Sequence, residues 1–381
     1  MLGELYTLLG VRVAAITSDT QAIRIYDREV RVAIRGVVLE LGIATVAVAG
    51  SKPWVELQPG VVAKVPWSPL PLVWCLAVAP AQEDAKVETV EILEIAEPQL
   101  LVIGGSQGPV ENKASGPCTS YSLRSRKSRC LAEIPTAHFY HSTALLDGHV
   151  YIAGGYNKNG TPTPAVERYD VKANTWTKLA PLPRPLTCLG LAAANGSLYA
   201  VGGAEQDSLA LAEMQRYEIG TDTWTSLAPM ATSRYGHGVA EVRGRLYVFG
   251  GRSGFNLLRS VECYDVPSDA WLQMAPMHRA RMDFGVAVLG QYVYIIGGRA
   301  LRSVERYDVL SNSWVELAPM VSQREHLSVA VDGEYIYVVG RGKEKHASIE
   351  RYDPFSNTWQ KLTDMVGAHP WGYTCVVVKQ S

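Results

Sequence analysis

Arginine is the residue type whose spacing most invites a chemical reading. Arg234 and Arg281 stand sixteen residues before Gly-Gly pairs at 250–251 and 297–298, and Arg324 stands sixteen before Gly340 of a degenerate copy. Arg252 and Arg299 directly follow two of the same pairs. A guanidinium grips a carboxylate or phosphate through two parallel hydrogen bonds, and arginine and aromatic residues are enriched where binding energy concentrates. Aromatics fall in the same two slots: Phe139, Tyr235 and, by alignment, Trp371 in the first, and Tyr156 in the second. Together these nine side chains would present a face to an acidic or phosphorylated peptide segment. The aligned slots hold no matching set of acids, Glu325 excepted. For each arginine the alternative is a strand-end side chain paired locally with Asp or Glu.

Other chemistries find less support. All eight histidines lie between His138 and His369, none spaced as a ligand pair on one element. His138 and His141, three apart at the start of a strand, should point to opposite faces, and loop or solvated histidines are expected. Six scattered cysteines show neither C-x-x-C nor a disulfide framework, which suits reduced thiols in a cytoplasmic or nuclear protein. No G-x-S-x-G, G-x-G-x-x-G or P-loop occurs. The expectation is a non-catalytic chain with no metal and no cofactor.

The elements that must carry these residues are repeated. Gly-Gly pairs fall at 104–105, 154–155, 202–203, 250–251 and 297–298, with Gly340-Arg341-Gly342 as a sixth, degenerate copy. Each ends a β-branched or aromatic run such as VYIAGG or LYVFGG, which reads as a strand. Downstream lie Tyr/Trp couples seven apart: Tyr169/Trp176, Tyr217/Trp224, Tyr264/Trp271, Tyr307/Trp314 and Tyr352/Trp359. Leu-Ala-Pro or Met-Ala-Pro turns follow four of them. One period therefore holds four short strands, and a four-stranded period near fifty residues predicts an all-β propeller of six blades over 99–381. Blade 1 lacks room for a first strand, and WGYTCVVV at 371–378 matches the first strands elsewhere. The C-terminal strand should therefore close the ring. Blade 1 also has Ser128 where the Trp should stand.

Segments such as VERYDVKANTW and SVERYDVLSNSW resemble the kelch-repeat family. The resemblance implies a protein-interaction propeller, set most naturally in substrate recognition for a cullin-RING ubiquitin ligase, with ligase components as partners. An actin-associated kelch scaffold using blade edges is the alternative, and a copper radical oxidase or other enzyme the third class.

Residues 1–98 do not fit the repeat and stay unclassified; stretches such as IRIYDREVRVAIRGVVLELG read as strands. They show no sustained helical pattern resembling the BTB and BACK domains that precede many kelch propellers. The chain has 381 residues, 47 % hydrophobic, with 36 basic against 37 acidic side chains. Near-neutrality argues against a nucleic-acid partner. The apolar runs at 36–50 and 70–80 fall short of a membrane helix, so no membrane partner is expected. The basic run Arg124-Ser125-Arg126-Lys127-Ser128-Arg129 reads as a solvated hairpin tip, with a nuclear address or a phosphorylated loop as the alternative.

Overall fold

The structure is a computed structural model. It describes residues 98–379 apart from 106–116, 124–126, 207–208, 300, 342–346 and 366–371, and before them five strands alone. Of those five, Glu29–Ile34 pairs antiparallel with Val37–Gly42, and Trp54–Gln58, Val61–Lys64 and Ala77–Ala79 form a second sheet. The chain divides into two compact units, and Glu97–Gln380 is the one that carries the repeats.

Here the runs before each Gly-Gly are strands, and each belongs to a four-stranded antiparallel sheet. Blade 2 comprises Ser142–Leu146, His149–Ala153, Val166–Asp170 and Thr175–Lys178, and blades 3 to 6 repeat the plan as far as Met365. Alternation explains the second strand: buried on both faces, it is a continuous apolar run such as Ser197–Val201. The chain's end closes the ring as expected. Thr374–Lys379 pairs antiparallel with Pro98–Ile103, Cys375 opposite Val102, and becomes the first strand of blade 1.

Six apolar clusters hold the ring, one between each neighbouring pair of blades. The seven-residue Tyr/Trp spacing has a simple geometric cause. Both residues sit on adjacent strands of one hairpin and face each other in register, as Tyr169 does Trp176, with ring centroids 4.9 Å apart. The pair then clasps the preceding blade. Trp224 Nε1 donates to Ala180 O (2.9 Å), while Asp222, which accepts from Tyr217 Oη, also accepts from Ala180 N (2.8 Å). The same clasp joins Trp176 and Asn174 to Ala132, Trp271 and Asp269 to Ala228, Trp314 and Asn312 to Ala275, and Trp359 and Asn357 to Ala318. In the Leu-Ala-Pro turns the Ala peptide is thus satisfied by the next blade. At the seam between blades 6 and 1, Ser128 faces Tyr121 in the Trp register, and no clasp is present among the described residues.

The Gly-Gly pairs sit where blades converge. A Cβ on Gly154 would stand 2.5 Å from Leu186 O of the next blade, and one on Gly155 would stand 2.6 Å from Phe139 O. Both glycines also hold positive φ (66° and 90°), which other residues rarely adopt.

Candidate functional site

The two slots read from the sequence meet on one face of the propeller. The backbone of Phe139 bridges to Tyr156, Thr187 to Ala204, and Tyr235 to Arg252. In blade 5, Arg299 N donates to Met282 O (3.2 Å). Phe139 and Tyr156 stack with centroids 5.1 Å apart, and Tyr140 meets Tyr156 edge-on at 6.3 Å. Across blade 3, whose slots hold buried Leu186, Thr187 and Ala204, lies the Tyr235–Arg252 bridge. A hairpin of Arg252–Ser253 and Asn256–Leu257 projects beyond it, carrying Phe255, 95 % exposed, with the Arg252 guanidinium 5.9 Å from its ring. Arg299 is exposed. Trp371 lies outside the described residues, as do Arg124, Ser125 and Arg126 of the basic run.

Three of the nine side chains are not on this face. Arg234, Arg281 and Arg324 are completely buried. Each points into its own blade and pairs with the glutamate of the third strand: Arg234 with Glu262, Arg281 with Glu305 at 2.6 Å, and Arg324 with Glu350 at 2.8 Å. Each also donates to a carbonyl at the Gly-Gly position, as Arg281 Nη1 does to Gly297 O (2.6 Å). The glutamates accept backbone N–H groups from the loop before, Glu350 from both Val321 and Ser322. The expectation that these arginines grip a partner is corrected here: their Nη groups are engaged within the blade and none of the three side chains reaches the surface. A buried charge is tolerated only when so paired and hydrogen-bonded.

His138 takes the same place in blade 2, and the expected solvated histidines are corrected with it. Nδ1 lies 2.6 Å from Gly154 O and Nε2 lies 2.6 Å from Glu167 Oε2. His138 and His141 do not point apart either; their rings are 5.8 Å apart and both are buried. The reason is Tyr140 between them, whose φ of 56° breaks the strand alternation.

Tyr140 belongs to a ring of left-handed residues at the mouth of the central channel. Cys188 (φ 51°), Gly236 (60°), Asp283 (53°) and Gly372 (63°) occupy the same position in other blades. Backbone bonds run from blade to blade around it: Tyr140 N to Gly372 O, Cys188 N to Tyr140 O, Gly236 N to Cys188 O, and Asp283 N to Gly236 O. Below the ring a cavity of about 250 Å³ is lined by the six innermost strands. Burial pushes the Asp283 carboxyl up to about 6, partly offset by the Arg299 charge. Burial and the Asp283 charge push the Cys188 thiol up to about 12. One step along each strand, burial and the Arg234 charge take His237 down to about 3, and burial and His138 hold His141 well below the ordinary range. The repeat alignment stopped one residue short of Tyr140 and Asp283. The glycines at 236 and 372 were the signal that could have found them.

Against known proteins, residues 229–380 match the KLHDC2/KLHL20/DRC7 Kelch-repeats domain, and residues 137–183 match the Kelch motif. These two stretches cover about half of the chain, in the register of the blades described above. The chain belongs to the kelch-repeat family. Kelch relatives include beta-scruin of Limulus polyphemus, 29 % identical over 79 residues, 20 % of this chain and 9 % of the scruin. Kelch-like protein 34 of Homo sapiens is 37 % identical over 94 residues, 24 % of this chain and 14 % of that protein. The chain thus aligns with only a small part of each relative's length. A solved structure of YjhT superposes with a TM-score of 0.57 at 18 % identity, covering 65 % of this chain and 89 % of that one. That likeness concerns the fold. Among the described residues no group of three or more His, Cys, Asp or Glu side chains is placed to hold a metal ion, and no helix is long and apolar enough to cross a membrane.

Proposed function

We propose that this kelch propeller is a non-catalytic interaction module. It takes an acidic or phosphorylated peptide segment across blade 3, between Phe139 and Tyr156 on one side and Tyr235, Arg252 and Phe255 on the other. The observation that carries this reading is the contrast between neighbouring blades. Blades 2 and 4 raise aromatic and arginine side chains, and blade 3 between them holds small, buried Thr187 and Ala204 at the bridged positions. A floor of small side chains between aromatic walls suits an extended chain, and an exposed Phe beside an accessible guanidinium has the composition of a hot spot. Arg252 and Arg299 remain as cations for the acidic group. The kelch-like relative supports a setting in ubiquitin-ligase substrate recognition.

The test is affinity capture from cell lysate with the full chain, followed by mass spectrometry. The same capture is run with Tyr156→Ala/Arg252→Ala/Phe255→Ala. Proteins retained by the parent chain and lost by a triple variant of unchanged melting temperature support the reading. An unchanged set overturns it. Probing the same eluates for cullins decides the ligase setting.

A further inference from the structure

The channel cavity has room for about eight waters at ~30 Å³ each. Among the described residues a single carboxylate, Asp283, stands on its wall, and no lysine or arginine lines it. The carboxylate lies over Gly236, where a Cβ would come within 2.8 Å of Oδ1. Glycine at 236 therefore makes both the φ of the ring and the space for this acid. Among the described residues the Asp283 carboxylate takes no hydrogen bond and no ion pair. Arg299 acts on it only through space and is itself exposed. By blade count Tyr140 stands on the opposite side of the mouth, with the Phe139 and Tyr156 rings behind it. Gly236 and Gly372 contribute no side chain to the rim.

An unpartnered carboxylate facing aromatic surfaces in a partly enclosed hole is complementary to a cation. Desolvation strengthens both the ionic and the cation–π attraction. We infer that the channel mouth receives one basic side chain of the bound segment, a lysine or arginine whose charged head rests on Asp283 and whose aliphatic stem lies against Tyr140. The inference rests on the reading of this face as the peptide-binding surface. It gives the ligand polarity: a basic residue at the axis, and the acidic group outward toward Arg252 and Arg299.

A random dodecapeptide phage library selected on the immobilised full chain supplies the probe. Selected sequences should share a Lys or Arg at one position. The corresponding synthetic peptide should bind at least tenfold more weakly to Asp283→Asn and to Asp283→Ser, and at least tenfold more weakly when its basic residue becomes norleucine. Two substitutions are used so that one poorly folded variant does not decide the result, and Asn retains the left-handed backbone. Peptides that depend on Tyr156 and Arg252 but bind the Asp283 variants normally overturn the channel site and leave the peptide face standing. Peptides that depend on Asp283 and ignore Tyr156 and Arg252 do the reverse. A library that yields no binder, or only binders indifferent to all of these changes, overturns both.

Discussion

Arg281 and Glu305 form an ion pair from which water is excluded, with Nη2 and Oε1 2.6 Å apart and both side chains wholly buried. Breaking such a pair from one side strands a charge, at about 3–5 kcal/mol. Arg281→Leu should cost that much in denaturant unfolding. Blade 3 holds Leu186 and Gln215 at the corresponding positions. Arg281→Leu/Glu305→Gln should therefore recover a large part of the loss in a double-mutant cycle. A double variant no more stable than the single one contradicts the pairing.

The clasp on Ala180 makes Trp224 a stability residue. Trp224→Ala removes a half-buried indole and leaves Ala180 O without its donor, at about 2–4 kcal/mol. Unfolding curves check this. At temperatures where the variant is folded, captured partners should match those of the parent chain.

Ring closure gives a third expectation. Deleting residues 370–381 removes the strand paired with Pro98–Ile103 and exposes a long apolar edge. The truncated chain should aggregate or melt at a clearly lower temperature, read by light scattering and thermal unfolding. A soluble truncation melting with the parent contradicts the closure.

Acid should weaken the propeller through His237. Its folded-state value of about 3 lies below 6.5, so between those limits the unfolded chain binds a proton that the folded chain does not. Stability is then full above about pH 6.5 and lost as pH falls toward 3, by at most about 1.4 kcal/mol per pH unit. His141 acts in the same direction. Asp283 opposes them: its folded value of about 6 lies above 3.8, so its contribution falls as pH rises through that interval. His237→Leu, which copies Leu189 at the same position of blade 3, should flatten the fall in melting temperature between pH 7 and pH 4. An unchanged acid limb contradicts the assignment.

The fold was legible because its signals are periodic. A Gly-Gly pair marks the second strand in five blades and a Tyr/Trp couple marks the outer hairpin in five, so even the displaced first strand of blade 1 showed as a gap to be filled. The slots were legible as positions, and Phe139/Tyr156 and Tyr235/Arg252 do meet. The direction of the first-slot arginines was not, because their acids sit in the middle of the third strand rather than in any loop. The coupling was nevertheless written within the chain: Glu167, Glu262, Glu305 and Glu350 accompany a His or Arg in the slot, and Gln215 accompanies Leu186. The left-handed ring was hidden for another reason. A Tyr, a Cys and an Asp carry it in three blades, and nothing in their types announces a positive φ.

The seam between blades 6 and 1 sets the order in which the molecule can be completed. Five of the blade junctions are clasped between neighbours in sequence, so each can form as soon as the next repeat leaves the ribosome. Blade 1, the earliest to emerge, stays a three-stranded sheet with its Pro98–Ile103 edge bare until Thr374–Lys379 arrives across roughly 270 residues of chain. That last pairing rests on strand complementarity, the apolar cluster around Tyr121, Tyr337 and Tyr373, and bonds such as Cys375 N to Ser328 Oγ (2.8 Å), with no tryptophan clasp among the described residues. Until Thr374–Lys379 has been made, the blades form an open arc rather than a ring.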